Sequence, residues 1–195
     1  MSPFGLCILL AMASTLARGE ELQELRRFSS RLQSIAVEAR SETGIEVALL
    51  AARGNRFRLQ WQGRLVVCDG KTVWNYSPEH RQVVISEARR LSGGLEQVFT
   101  AFLEHAHLRI VERRADTLRV ECLPASSSPS LGFRSAVLTV RRGDWTPLAL
   151  ELRTEASTQR WELRNFRANP PVRPEDFAFT PPPGTEVIRL TPPGQ

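Results

Sequence analysis

The feature that most narrows the fold is a two-residue alternation of apolar and polar side chains that recurs from Arg56 to Asn165. Successive side chains of an extended strand point to opposite faces, so this alternation marks strands with one buried and one wet face. Arg56-Phe57-Arg58-Leu59-Gln60-Trp61 sets Phe57, Leu59 and Trp61 on one side. Leu65 to Cys68 follows, Asp69-Gly70 supplies a hairpin turn, and Thr72 to Tyr76 returns with Thr72, Trp74 and Tyr76 on a shared side. Ser77-Pro78-Glu79-His80 turns the chain into Gln82 to Ser86. The pattern resumes in Leu108 to Glu112, Leu118 to Cys122, Arg134 to Arg141, Leu148 to Arg153 and Arg160 to Asn165. Gly143-Asp144 marks the turn between the third and fourth of these, Ser126 to Ser130 reads as a loop, and Pro181-Pro182-Pro183-Gly184 is expected to end the regular structure. About ten short antiparallel strands result, a sheet wide enough to curl toward a barrel or split into layers.

Two segments break this period. From Glu20 to Ile35 the residues Leu22, Leu25, Phe28, Leu32 and Ile35 recur at three- and four-residue spacing, which predicts an amphipathic helix with an acidic first turn. Leu91, Leu95, Val98, Phe99, Phe102 and Leu103 predict a second, weakened near its start by Gly93-Gly94. Helices placed before and within the strand series are suited to cover an open face. Pro3 to Leu16 is an apolar run too short to span a bilayer comfortably, and small residues follow it. It reads as a secretory leader cut after Ala17 or Gly19; the lack of Lys or Arg before the run keeps an uncleaved anchor open as the alternative. The division expected is a leader at 1–19, one domain at 20–190 and a loose tail at 191–195, since 195 residues suffice for one domain with a sizeable core.

The formal charge of +5 comes almost wholly from arginine, Lys71 being the single lysine. A basic chain can seek nucleic acid or anionic surfaces, but these arginines are dispersed and alternate with apolar residues, as befits the solvated face of a sheet. No nucleic-acid partner is expected. No nucleophile elbow, zinc-binding His-Glu-x-x-His or phosphate-binding loop occurs, so neither an enzyme nor a cofactor is predicted. His80, His105 and His107 lack carboxylate or thiol neighbours at ligand spacing, and no metal site is expected. Beyond the leader the cysteines are Cys68 and Cys122, which an oxidising compartment would leave either as a disulfide or as two small buried thiols.

Three stretches, in order and at compatible distances, resemble the LolA family of outer-membrane lipoprotein carriers. Asp69-Gly70-Lys71-Thr72-Val73-Trp74-Asn75-Tyr76-Ser77-Pro78 is similar to that family's Asp-Gly-Lys-Thr-aliphatic-Trp-x-Tyr-x-Pro hairpin. Arg53-Gly54-Asn55-Arg56-Phe57 is similar to its Arg-Pro-x-x-Phe strand entry. Phe177-Ala178-Phe179-Thr180-Pro181-Pro182-Pro183-Gly184-Thr185-Glu186-Val187 is similar to its closing segment. The resemblance implies a mainly β fold with two or three helices, an unclosed antiparallel barrel under a helical lid. It implies a monomeric periplasmic carrier whose apolar cavity takes the acyl chains of lipoproteins. An inner-membrane ABC-type complex would load it and an outer-membrane receptor would unload it. Arg53 matches the arginine held to latch the lid, although Gly54 stands where the family has proline. The expected cavity lining is Phe57, Leu59, Trp61, Trp74 and Tyr76 from the strands and Leu25, Phe28, Val98, Phe99 and Phe102 from the helices. Apolar cavities read alkyl chains and not head groups, so a carrier of glycolipid or phospholipid, or a module sensing mislocalised lipoproteins, stays open as the alternative.

Overall fold

The structure is a computed structural model, and it describes residues 19–88, 107–123 and 134–190. Residues 19–31 form helix α1. Among the described residues twelve strands follow: β1 (Ser34–Ser41), β2 (Glu46–Ala52), β3 (Arg56–Trp61), β4 (Arg64–Asp69), β5 (Thr72–Ser77), β6 (Gln82–Glu87), β7 (His107–Arg113), β8 (Thr117–Leu123), β9 (Ser135–Arg141), β10 (Pro147–Arg153), β11 (Thr158–Ala168) and β12 (Glu186–Arg189). They build one open sheet in the order β12-β6-β5-β4-β3-β2-β1-β11-β10-β9-β8-β7. A 3-10 turn, Pro174–Phe177, precedes β12. Neighbours within β1–β6 and within β7–β11 are consecutive in sequence, so both blocks grow from hairpins, and the β1–β11 pairing joins them.

The mainly β, unclosed sheet matches expectation, with several differences. The helix expected to run to Ile35 ends at residue 31, and Ile35 opens β1. The cause is local competition for hydrogen bonds. The Leu32 N–H donates to Ser29 O at 3.1 Å. The Gln33 N–H, the next in line for that carbonyl, instead donates to Asn169 Oδ1 at 2.6 Å. β1 and β2 were not expected: Ser34 to Val37 of β1 are all buried, and β2, although its burial alternates, runs through six consecutive apolar residues from Val47 to Ala52 and so shows no alternation in its sequence. Regular structure does not stop at the proline run: β12 follows and pairs with β6 in parallel, the exception in an otherwise antiparallel ladder. The second helix, the 126–130 loop and the 191–195 tail fall outside the described residues.

The hairpin turns are as read. At Asp69-Gly70 the Asp69 carboxylate accepts the N–H groups of Lys71 at 2.8 Å and Thr72 at 2.7 Å. Gly70 has φ +99°, and a Cβ there would sit 2.5 Å from the Gly54 carbonyl oxygen, so any other residue is excluded twice over.

The register assigns each face. One face carries Ile35, Val37 and Ala39, then Val47, Leu49 and Ala51, then Phe57, Val66, Cys68 and Val73. Across the seam it continues through Leu163, Leu150, Leu138, Val120, Leu118 and Cys122. All belong to one apolar cluster with Leu25 and Leu32 of the α1 segment. The outer face is different in its two wings. Over β7–β11 it is a lattice of ion pairs, including Arg109–Glu121, Arg119–Glu112 and Arg119–Glu151. Over β3 and β4 it is covered by the chain after β11: Phe177 is fully buried there, and the Arg56 guanidinium lies 5.3 Å from its ring centre.

Candidate functional site

The candidate site is the helix-covered apolar face. α1 presents Leu22, Leu25 and Phe28 to it at helical spacing, with Leu25 fully buried. Phe28 meets Phe166 of β11 with ring centres 6.4 Å apart. A bulge between Ala36 and Glu38 in the β1–β11 register, with Asn165 at φ +51°, accompanies the turning of Phe166 to the helix side.

The C-terminal end of α1 is fastened unusually completely. The last carbonyls of a helix have no partner within it and need one from elsewhere. Arg53, the residue after β2, donates from Nε to Leu32 O at 2.9 Å and from Nη2 to Ser30 O at 2.5 Å. Its backbone N–H donates to Gln33 O at 2.9 Å. Asn169 Nδ2 donates to Arg31 O at 3.4 Å, and its Oδ1 accepts the Gln33 and Ser34 N–H groups. Four successive carbonyls, from residue 30 to residue 33, are therefore held by two residues remote in sequence. A guanidinium beside the negative end of a helix dipole adds favourable electrostatics to the geometry. Asn169 was missed from sequence; it sits at φ +53°, and nothing local announces its partners 136 residues away.

Of the residues expected to line the cavity, Leu25, Phe28, Phe57, Leu59 and Trp61 come together on the helix-covered side. Trp74 and Tyr76 do not. Trp74 pairs with Val67 and Ile85, and Tyr76 with Leu65 and Val83, on the outer side. Tyr76 packs there against Phe179, with ring centres 5.2 Å apart. Sequence gives the parity within each strand but not the register between strands, and the register is what sends these two rings outward. Val98, Phe99 and Phe102 lie outside the described residues. Trp161, Leu163 and Phe166 belong to the covered face and were not among the expected lining; the Trp161/Leu163 parity within Arg160 to Asn165 was the available signal. The Trp161 Nε1 is the buried side-chain nitrogen without a hydrogen-bond partner among the described residues.

Cys68 and Cys122 both lie on the helix-covered face, fully buried, and the structure holds them as thiols and not as a disulfide. Burial pushes the Cys122 thiol pKa well above its ordinary range, with Arg26 of α1 close enough to oppose the shift. Among the described residues no group of His, Cys, Asp or Glu could hold a metal ion.

No family model matches the chain. It is 28% identical over 206 residues to an outer-membrane lipoprotein carrier protein of Bordetella avium, covering 93% of this chain and 94% of that protein. An outer-membrane lipoprotein carrier protein of Methylibium petroleiphilum is 28% identical over 70% of this chain and 69% of its own length. Among solved structures, an uncharacterized conserved protein from Thermus thermophilus has the same fold, with a TM-score of 0.58, 16% identity, and coverage of 88% of this chain and 99% of its own. The likeness first seen in three short motifs thus extends over most of the sequence, which is similar along its length to outer-membrane lipoprotein carrier proteins.

Proposed function

We propose that the chain is a periplasmic carrier that takes the acyl chains of lipoproteins onto the face beneath α1. The observation that carries this reading is a continuous apolar face on an open sheet, covered by a helix whose end is tied down by one arginine and one asparagine. Burying a methylene is worth roughly 0.8 kcal/mol, so several long acyl chains cannot cross water uncovered. A carrier must offer that burial and also give it up. A helix that occupies the same apolar surface competes with cargo, and its polar ties set how hard the cargo must push.

In this reading Arg53 is the latch. Leu25, Phe28, Phe57, Leu59 and Trp61 meet the acyl chains, joined by Val98, Phe99 and Phe102. Residues 1–19 act as the secretory leader. Loading comes from an inner-membrane ABC-type complex, unloading goes to an outer-membrane receptor, and the carrier works as a monomer without enzymatic activity of its own. Native mass spectrometry of protein released gently from the periplasm tests it. A triacylated lipoprotein bound one to one is the expected result; bound lipid with no protein attached would transfer the reading to a carrier of glycolipid or phospholipid.

A further inference from the structure

The end of α1 opposite Arg53 has its own fastening. We propose that Glu21, forked between Arg113 and Arg142, is a second clasp that positions α1 across the apolar face, so that the helix lifts only when both ends are released. The Glu21 carboxylate accepts from Arg113 Nη2 at 2.5 Å and from Arg142 Nη2 at 2.9 Å, and its side chain is only 14% exposed. Both arginines are placed by special local structure. β7 carries a bulge between Ile110 and Glu112. Without it, alternation from Leu108 and Ile110 would send Arg113 to the outer face. With it, Glu112 pairs with Arg119 outside and Arg113 faces Leu118 on the helix side. Bulges commonly re-aim a side chain in this way. Arg142, in the β9–β10 turn, is steadied by donation to Arg114 O at 3.3 Å and Ala115 O at 3.1 Å. Its backbone N–H also donates to Asp116 O at 2.8 Å.

The two clasps differ in chemistry. Arg53 and Asn169 bind backbone carbonyls, whereas Glu21 is a fork of two ion pairs and is weakened by salt. Ionic strength therefore acts on one end of the helix and largely spares the other.

The proposal rests on the carrier reading, but its test does not need cargo. Cys122 lies beneath α1, close to Arg26, and is a built-in reporter. The mature chain is labelled with a thiol reagent under native conditions at low and high salt, and modification at Cys122 is followed by peptide mass. Glu21→Gln should speed labelling by roughly fivefold at low salt, with no matching loss of global stability in urea. Salt should speed the parent and leave Glu21→Gln unchanged. Arg113→Gln, which leaves the helix sequence intact, should reproduce the effect if the first variant folds poorly. Equal labelling of parent and variants, an equal salt response in both, or faster labelling only in step with global destabilisation each overturns the clasp. Failure of lipoprotein to co-purify overturns the carrier reading and leaves these rates as they are.

Discussion

At the scale of single residues, the structure concentrates its remote bonds on Arg53 and Asn169. Truncating Arg53 to alanine strips the carbonyls of Ser30 and Leu32 of their donors, the first at the surface and the second part-buried, and such hydrogen bonds contribute about 0.5–1.5 kcal/mol. Arg53→Ala and Asn169→Ala should each lower the unfolding free energy measured in urea by an amount in that range. Because both secure one helix end, the double variant should lose less than the sum; strict additivity would show that they act independently. Arg53 was legible in the sequence through a family motif. Asn169 was not, since an asparagine after a strand carries no mark of the N–H groups it will receive. The thiols give a second prediction at this scale. The denatured, unreduced chain should react at both Cys68 and Cys122, and failure to label either would mean that they are bridged in solution.

At the scale of elements, the legible strands were those with one wet face. β3 and β5 alternate and, like β6, are bounded by turn residues, and the bounds of all three are close to those read from the sequence. β1 escaped notice because Ser34 to Val37 are all buried, so no polar residue breaks the run, and β2 is rich in alanine and leucine, which carry no strand preference. The C-terminal wrap was legible only as a motif. Its reason is Phe177, which seals the outer face of β3 and β4; Phe177→Ala should cost about 3–5 kcal/mol in equilibrium unfolding. The ion-pair lattice on the other wing makes a prediction about pH. Hydrogen bonds from Arg119 and Arg114 hold Glu112 below the usual carboxylate pKa, Arg164 does the same for Glu162, and the Thr146 N–H lowers Asp144. A carboxylate whose folded pKa is depressed stabilises the fold above its unfolded pKa and loses that contribution as pH falls through the folded value. Stability should therefore be level from neutral pH to about 5 and decline below about 4, with a shallower decline in Glu112→Gln.

At the scale of the whole molecule, the proposed function requires the two sides of the sheet to be unlike. Neighbouring residues of β3 test this directly, because Leu59 faces α1 and Arg58 faces outward. Leu59→Glu should weaken binding of a fluorescent long-chain fatty acid by more than about tenfold, the cost of burying a charge against acyl chains. Arg58→Glu should leave it nearly unchanged, and an equal effect of the two would dissociate binding from the covered face. The seam between β1 and β11 has a further consequence, one that concerns how the protein is made. Each block of hairpins can form as its residues emerge, whereas β1, paired early with β2, must wait for its second partner, β11, near the far end of the chain. Asn169 follows that partner at once, and its bonds to Gln33 span 136 residues. During synthesis, α1 therefore cannot be fully fastened until most of the fold has arrived. The C-terminal end of a newborn α1 is thus only partly tied, and it gains its full set of bonds when Asn169 reaches it.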